Sequence, residues 1–213
     1  MMMSDNRDNY FTITIDRDTM FEYYNYYKKL HPKIRSFEFA SKITEKLYNK
    51  DGSPQLTKGG NHKTKTRKRK LEEITKDDLK YGVMSLNEIL VIQNRMTMNG
   101  IKHKYGELGL WLAERCDIKD KLYSNAVVEY RIFKHTNAKA DNDNLASGCK
   151  FINDCLFVES NAFIDDNFNH INPLIFGIEV DTENPRTEIR VSIIEDEIKN
   201  INEKINIHIN NFN

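Results

Sequence analysis

The stretch from Asn125 to Phe157 changes its hydrophobic period partway along, and this change restricts the possible fold more than any other feature. Asn125 to Phe133 alternates apolar and polar residues, which is the pattern of a half-buried β-strand. Leu145 to Phe157 places its apolar residues three and four positions apart, which is the spacing of an amphipathic helix. A strand that leads into a helix in this way is typical of α/β proteins.

A predicted helix lies before this stretch, and two predicted strands lie after it. Apolar residues recur at helical spacing from Asn99 to a predicted helix end near Cys116. Downstream, Leu174 to Val180 and Thr187 to Ile194 are predicted strands, and the polar turn between them indicates a hairpin. These elements predict an α/β domain with a compact mixed sheet and flanking helices.

The chain divides into three parts on this interpretation. Residues 1–80 form a helical N-terminal extension or an insertion, residues 81–195 form the α/β domain, and residues 196–213 form a C-terminal helix and tail. From about residue 50 to residue 70 the periodicity is lost, while glycines and a run of basic residues accumulate. We therefore predict a flexible basic linker there.

The N-terminal part has its own predicted elements. Tyr10 to Ile15 alternates like a strand. Thr19 and Glu22 have the spacing of a capping box at the start of an aromatic helix that ends before Pro32. A second helix is predicted from Ser36 to Tyr48. The aromatic residues of the first helix are expected to pack into a core rather than to stack on bases.

The composition narrows the class of protein. The formal net charge is zero, because 32 Lys and Arg residues balance 32 Asp and Glu residues, so attraction to phosphate depends on how charge is distributed. Three cysteines without a CxxC pair indicate free thiols in a reducing compartment. No hydrophobic run approaches the roughly 20 residues that a membrane span requires. We therefore expect a soluble, cytoplasmic protein with no membrane partner.

The most informative segment runs from Lys139 to Asn144, between the predicted strand and the predicted helix. If Asp141 and Asp143 are extended, their spacing of two directs both carboxylates to one side, and Asp143 or Asn144 is a natural N-cap for the helix. Carboxylates placed this way repel each other unless a cation lies between them. Mg²⁺ or Mn²⁺ prefers such hard oxygen ligands, so the segment predicts a site for one of these ions.

A further acidic pair, Asp165-Asp166, follows downstream after a short apolar segment that is expected to be a buried strand end. On the intervening helix, Lys150 and Asp154 are four residues apart and share a face. Lys150 is therefore able to turn toward the carboxylates or a phosphate while Asp154 steadies it. A metal ion and a lysine together meet the needs of phosphodiester hydrolysis.

This order of residues resembles the RusA-like Holliday junction resolvase family. Its members carry an Asp-x-Asp-Asn motif, a helix with Lys-x-x-x-Asp-x-Leu, and an Asp-Asp pair. The corresponding segments here are Asp141 to Asn144, Lys150 to Leu156, and Asp165-Asp166. Ser85 to Glu88, followed by Arg95, Asn99 and Lys102, is a fainter likeness to the front motif of the family.

The resemblance implies roles for particular residues. Asp141, Asp143 and Asp166 would be the metal ligands, with Asp165 in the candidate ligand set, and Lys150 would be the lysine near the phosphate. Many members place that lysine three residues after the asparagine of the motif, where this chain has Ser147, whereas Lys150 comes about one helical turn later. The family also implies a homodimer in which each subunit cuts one strand of a four-way DNA junction, in a bacterial or phage-infected cell.

Several basic residues are candidate contacts to DNA phosphates. They are Lys63, Lys65, Arg67, Lys68, Arg69, Lys102, Lys104 and Lys139. For the run from Lys63 to Arg69, a merely solvated linker is an equally good explanation.

Two alternatives to the resolvase function remain open. One is a less selective, structure-dependent nuclease with the same site. The other is a non-catalytic DNA-binding module whose acidic cluster only caps a helix. Cys149 and Cys155 are expected to be small apolar filler on the buried face of their helix.

Overall fold

The computed structural model describes residues 10–81, 92, 94–136 and 142–194, and leaves the side chains of residues 142–145 and 147 undescribed. The elements in chain order are β1 (Tyr10–Ile15), α1 (Arg17–Leu30), β2 (Ile43–Lys46), β3 (Thr64–Arg67), α2 (Arg95–Arg115), β4 (Ala126–Lys134), α3 (Asn142–Asn153), β5 (Ile171–Val180) and β6 (Arg186–Ile193). Short 3-10 turns lie at Leu71–Glu73 and Lys76–Asp78, and a π-helical turn at Asp154–Glu159 continues α3.

The chain forms two compact units. Ile15–Tyr81 make up the smaller unit, and the described residues before and after them make up the larger unit. In sequence, the smaller unit is therefore inserted between β1 and the remainder of the larger unit.

The larger unit is built on a mixed four-stranded sheet with the strand order β1-β6-β4-β5. The central strand β4 pairs in parallel with β5 and antiparallel with β6. Val128 and Tyr130 on β4 are completely buried, and Ile189 faces Tyr130 across the β4–β6 pair. The alternating strand and the mixed sheet with helices that the sequence predicts are confirmed.

The predicted hairpin of β5 and β6 is wrong, because β4 lies between these two strands. The connection between them crosses the end of β4, where the Asp181 N–H donates to the Lys134 carbonyl at 2.9 Å. The residues of β4 are the most continuously buried of the sheet, and a central position gives both edges of such a strand hydrogen-bonding partners.

Helix α2 has the apolar stripe that its sequence predicts. The buried stripe residues are Ile101, Tyr105, Leu108 and Leu112. The helix begins at Arg95, because the Asn94 side chain accepts hydrogen bonds from the N–H groups of Met96 and Thr97. The predicted end near Cys116 is confirmed.

In the smaller unit, α1 begins earlier than its capping-box spacing predicts. Asp16 is the N-cap, since its carboxylate accepts a hydrogen bond from the Thr19 N–H at 2.7 Å. Thr19 is therefore inside the helix. Tyr23, Tyr24 and Tyr27 are buried, so the expected packing role of the aromatic stripe is confirmed.

The helix predicted from Ser36 to Tyr48 is wrong. Phe37 and Phe39 are buried against Tyr23, with ring centroids 5.9 Å from its ring in both cases. The apolar residues at four-residue steps thus serve separate tertiary contacts. The β-branched residues that follow favour β2, which pairs antiparallel with β3.

The prediction of a flexible linker over residues 50–70 is also wrong. β3 lies within it, and isolated bridges join Tyr48 to Pro54 and Leu56 to His62. Acidic residues elsewhere in the unit pair with the C-terminal members of the basic run: Arg67 pairs with Glu45 and Glu73, Lys68 with Glu38, and Arg69 with Asp78. Such distant partners cannot be recognised from local charge patterning.

Some predicted features lie outside the described residues. These are the front motif Ser85 to Glu88, the basic residue Lys139, the motif residue Asp141, and the C-terminal helix over 196–213. Among the residues that the structure describes, no helix combines the length and apolar character needed to cross a membrane.

Candidate active site at the end of helix α3

The C-terminal end of α3 carries a lysine and an aspartate on one face. Lys150 Nζ lies 3.4 Å from Asp154 Oδ1, one helical turn away. Both side chains are substantially exposed, at 72% for Lys150 and 48% for Asp154. An exposed pair of this kind contributes little to stability. Because both side chains are exposed, both are accessible to a ligand.

The loop that follows the π-helical turn carries the acidic pair. Phe163 anchors this loop, since it is buried, forms a parallel bridge with Tyr123, and donates its N–H to the Phe157 carbonyl at 2.9 Å. Ile164 is 56% exposed, so the expected buried strand end stops at Phe163. The bridge ends there, and the chain then turns toward solvent.

Asp165 and Asp166 have different surroundings. The Asp165 carboxylate accepts hydrogen bonds from the Asp166 N–H at 2.8 Å and from the Asn167 side-chain amide. Asp165 therefore shapes the loop, and this turn positions Asp166. The Asp166 side chain is only partly exposed.

Electrostatics links Asp166 to the end of α3. Partial burial raises the pKa of Asp166, the negative charge of Asp154 raises this pKa further, and the Lys150 ammonium opposes both effects. The two carboxylates and the lysine therefore share one electrostatic neighbourhood. A cation placed between Asp154 and Asp166 would relieve their repulsion.

Asp154 is the residue whose importance the sequence interpretation underestimates. From the four-residue spacing alone, Asp154 is expected only to steady Lys150. In the structure its charge also acts on Asp166. The missing signal is the π-helical turn that begins at Asp154, a feature that often occurs at functional sites and has no simple sequence pattern.

Close packing of α2 holds this turn in place. A Cβ atom built on Gly109 would lie 2.9 Å from the Leu156 backbone nitrogen and 3.1 Å from the Ile152 carbonyl oxygen. Glycine at this position thus allows the two helical segments to approach closely. At the end of the turn, Ser160 donates its hydroxyl to the Leu156 carbonyl at 2.6 Å.

A buried hydrogen bond fixes α3 on the sheet. The Tyr130 hydroxyl, in the centre of β4, donates to the side-chain oxygen of Asn153. Both residues are buried, and Asn153 directly precedes Asp154. This hydrogen bond to the sheet therefore fixes the position of the neighbouring Asp154.

A groove of about 280 Å³ runs between α2 and the end of α3. Its lining includes Lys102, His103, Glu107, Phe151, Asp154 and Glu159. Lys102 is exposed and its Nζ lies 5.5 Å from the centre of the Phe151 ring. The candidate DNA contact Lys102 therefore borders the same groove as Asp154, whereas Lys104 is half-buried.

The structure places the other candidate ligands in different ways. The backbone of Asp143 lies in the first turn of α3, which begins at Asn142. Asp143 and Asn144 are therefore helical residues, and the predictions that Asp143 is extended and that one of them is the N-cap are wrong. A carboxylate in the first turn of a helix is favoured by the helix dipole. Asp141 and the Asp143 side chain lie outside the described part of the chain.

The donor chemistry of the described residues fits a hard divalent cation. Asp154 and Asp166 supply carboxylate oxygens, which Mg²⁺ and Mn²⁺ prefer. Within residues 10–81, 94–136 and 146–194, no three His, Cys, Asp or Glu side chains are arranged to hold a metal ion by themselves.

The cysteines of this region provide no soft ligands. Cys149 and Cys155 are buried, and neither forms a disulfide. Burial raises the pKa of the Cys155 thiol to about 12 and raises that of Cys149 as well. The expected role as apolar filler agrees with this burial.

Comparison with known protein-family models and with curated proteins gives no match to this chain. The functional assignment therefore depends on the chemistry of the site.

Proposed function

We propose that this protein is a metal-dependent endonuclease that hydrolyses phosphodiester bonds in branched DNA, with four-way junctions as its preferred substrate. The observation that carries the proposal is the shared electrostatic neighbourhood of Asp154, Asp166 and Lys150 at one end of α3. The resemblance of the motif residues to RusA-like resolvases supplies the choice of substrate.

The proposed division of labour follows the chemistry of each side chain. Asp141, Asp143 and Asp166 hold Mg²⁺ or Mn²⁺, with Asp154 as an additional ligand or as the residue that orients Lys150. Held there, Mg²⁺ or Mn²⁺ would supply an activated water molecule and positive charge at the phosphate. Lys150 places a positive charge beside the same phosphate oxygens, where negative charge accumulates during hydrolysis. Asp165 keeps the loop in the shape that presents Asp166.

Helix capping does not account for Asp154 or Asp166. Asp154 begins the π-helical turn that continues α3, far from the helix N-terminus at Asn142. Asp166 is partly buried, and the repulsion from Asp154 raises its pKa. Neither carboxylate is therefore placed to cap the N-terminus of α3. Coordination of a cation would explain the proximity of the two carboxylates.

A homodimer is part of the proposal. A four-way junction has two equivalent strands to cut, and two copies of one site related by a two-fold axis would reach both of them. We propose that this takes place in the cytoplasm of a bacterium or a phage-infected cell.

The test is cleavage of a labelled synthetic four-way junction beside a linear duplex of the same sequence. Reactions contain Mg²⁺ or chelator, and compare the native protein with Asp166→Asn. The matched control is Asp117→Asn, because Asp117 is 93% exposed and its carboxylate pairs with Lys121 on the surface. We expect paired nicks that require metal, disappear in Asp166→Asn and persist in Asp117→Asn.

The other outcomes identify the alternatives. Equal cleavage of junction and duplex would support the less selective nuclease. Binding of the junction without any cleavage, in the presence of metal, would overturn the proposal and support the non-catalytic binding module.

A further inference from the structure

The β2–β3 ribbon of the smaller unit sorts its charges onto two faces. Its register places Thr44 opposite Thr66 and Lys46 opposite Thr64, so these four side chains project from one face. Lys42 precedes β2 with the same alternation. We call these five residues the threonine–lysine face, and all five are exposed.

The opposite face has a mixed charge. There Glu45 lies opposite Lys65 in the register, and it forms an ion pair with Arg67 at 2.7 Å. Ile43 and Arg67 on this face are half-buried. Glu45 therefore offsets part of the positive charge on this face, whereas the charged residues of the threonine–lysine face are both lysines.

The basic residues at the end of β3 are engaged within the unit. Hydrogen bonds from Arg67 lower the pKa of Glu73 to about 2. Lys68 Nζ lies 2.8 Å from Glu38 Oε2, and Arg69 Nη2 lies 2.7 Å from Asp78 Oδ1. The positive charge of this run is thus largely balanced by acids of the same unit. Within the part of the chain that the structure describes, Lys42 and Lys46 of the threonine–lysine face form no ion pair.

We infer that the threonine–lysine face binds the sugar–phosphate backbone of a nucleic-acid strand. Side chains on one face of a strand repeat every ~6.7 Å, which allows successive residues to meet successive phosphates. Threonine hydroxyls donate hydrogen bonds to phosphate oxygens, and lysine ammonium groups displace condensed counterions. The contacts are to backbone rather than to base edges, so the face binds without sequence preference.

An anionic membrane surface is a poorer match to this face. Membrane-surface elements combine basic residues with large apolar side chains that enter the interface. The five residues of the threonine–lysine face include no large apolar side chain, and the aromatic residue that continues the same alternation, Tyr48, packs its ring against His62 with 5.8 Å between the ring centroids. Alternating hydroxyl and ammonium groups suit a chain of phosphodiesters better.

The inference adds a substrate contact to the proposed nuclease, but binding through this face requires no metal. The experiment therefore measures binding alone, with full-length protein in chelator, by fluorescence anisotropy of labelled single-stranded DNA over a range of salt concentrations. The double variant Lys42→Gln/Lys46→Gln removes the two lysines of the face. The matched control, Lys119→Gln/Lys121→Gln, removes two lysines of the larger unit that pair with Glu114 and Asp117.

Each lysine that neutralises one phosphate of a single strand contributes about 0.7 to the slope of log K against log salt concentration. The Lys42→Gln/Lys46→Gln variant should therefore lose about 1.4 from this slope. Its binding should be weaker at low salt and converge with the native protein toward high salt. The control should keep the native slope and affinity.

Two results would overturn the inference. One is an unchanged slope in Lys42→Gln/Lys46→Gln with an unchanged melting temperature. The other is a double variant that loses binding to phosphatidylserine vesicles while its DNA binding stays native. An Asp166→Asn protein that binds DNA but does not cut it separates failure of this inference from failure of the proposed nuclease activity.

Discussion

The close contact between α2 and the turn after α3 makes Gly109→Ala an informative substitution. The added Cβ would lie 2.9 Å from the Leu156 backbone nitrogen and 3.3 Å from the Cys155 Cβ. A backbone atom cannot rotate away, so α2 must move outward by a few tenths of an ångström. Overpacking of this kind costs about 1–3 kcal/mol.

Part of this cost is offset within the helix itself. Alanine is favoured over glycine inside a helix by about 1 kcal/mol. The net loss of unfolding free energy for Gly109→Ala is therefore about 1 kcal/mol, which corresponds to a decrease of ~2–4 °C in Tm for a chain of this size.

Gly100→Ala is the matched control because it lies in the same helix. A Cβ atom on Gly100 would meet nothing within 4 Å. Only the helix propensity then changes, so Tm should rise by about 2–4 °C. Thermal unfolding followed by circular dichroism measures both variants, and opposite signs are expected. A Gly109→Ala protein as stable as Gly100→Ala would refute the close-approach argument.

Three further predictions concern single side chains. Tyr130→Phe leaves the buried Asn153 oxygen without its donor and should cost about 1–3 kcal/mol in urea unfolding, whereas Tyr48→Phe, at a 55% exposed tyrosine, should be neutral. Arg67→Gln removes the partner that lowers the pKa of Glu73 from 4.5 to about 2. Because that pKa is depressed in the folded state, the stabilisation is complete above about pH 4.5 and lost as pH falls toward 2, so the Tm gap between native and variant should narrow over this range. An equal gap at pH 7 and pH 2.5 would contradict this. Lys150→Gln should leave Tm within about 1 °C, since the pair with Asp154 is exposed, and should reduce junction cleavage by about 10²-fold or more. Native cleavage rates in this variant would exclude the proposed role of Lys150.

The sequence predicts those parts of the fold that depend on local periodicity. The stripe from Ile101 to Leu112 and the alternation in β4 are recognisable because one buried face imposes one period. The position of β4 between β5 and β6 depends on pairing between segments that are distant in sequence. Local sequence patterns do not indicate such pairing. Sequence alone therefore predicts a hairpin where the sheet has a crossover.

The same distinction applies to the charged residues. The run from Lys63 to Arg69 has the appearance of a free basic arm, yet its C-terminal members pair with Glu38, Glu73 and Asp78. At the candidate site, the motif spacing predicts roles for Lys150 and Asp166. The contribution of Asp154 depends on the π-helical turn and on the loop anchored by Phe163, which are tertiary features.

The central claim is that the carboxylates near the end of α3 hold a divalent cation. Titration of Mn²⁺ into the metal-free protein, followed by electron paramagnetic resonance of the free ion, tests it most directly. The native protein and Asp117→Asn should bind Mn²⁺, while Asp166→Asn should bind it at least about tenfold more weakly because one charged ligand is lost. Equal Mn²⁺ affinity in the native and Asp166→Asn proteins would contradict the account.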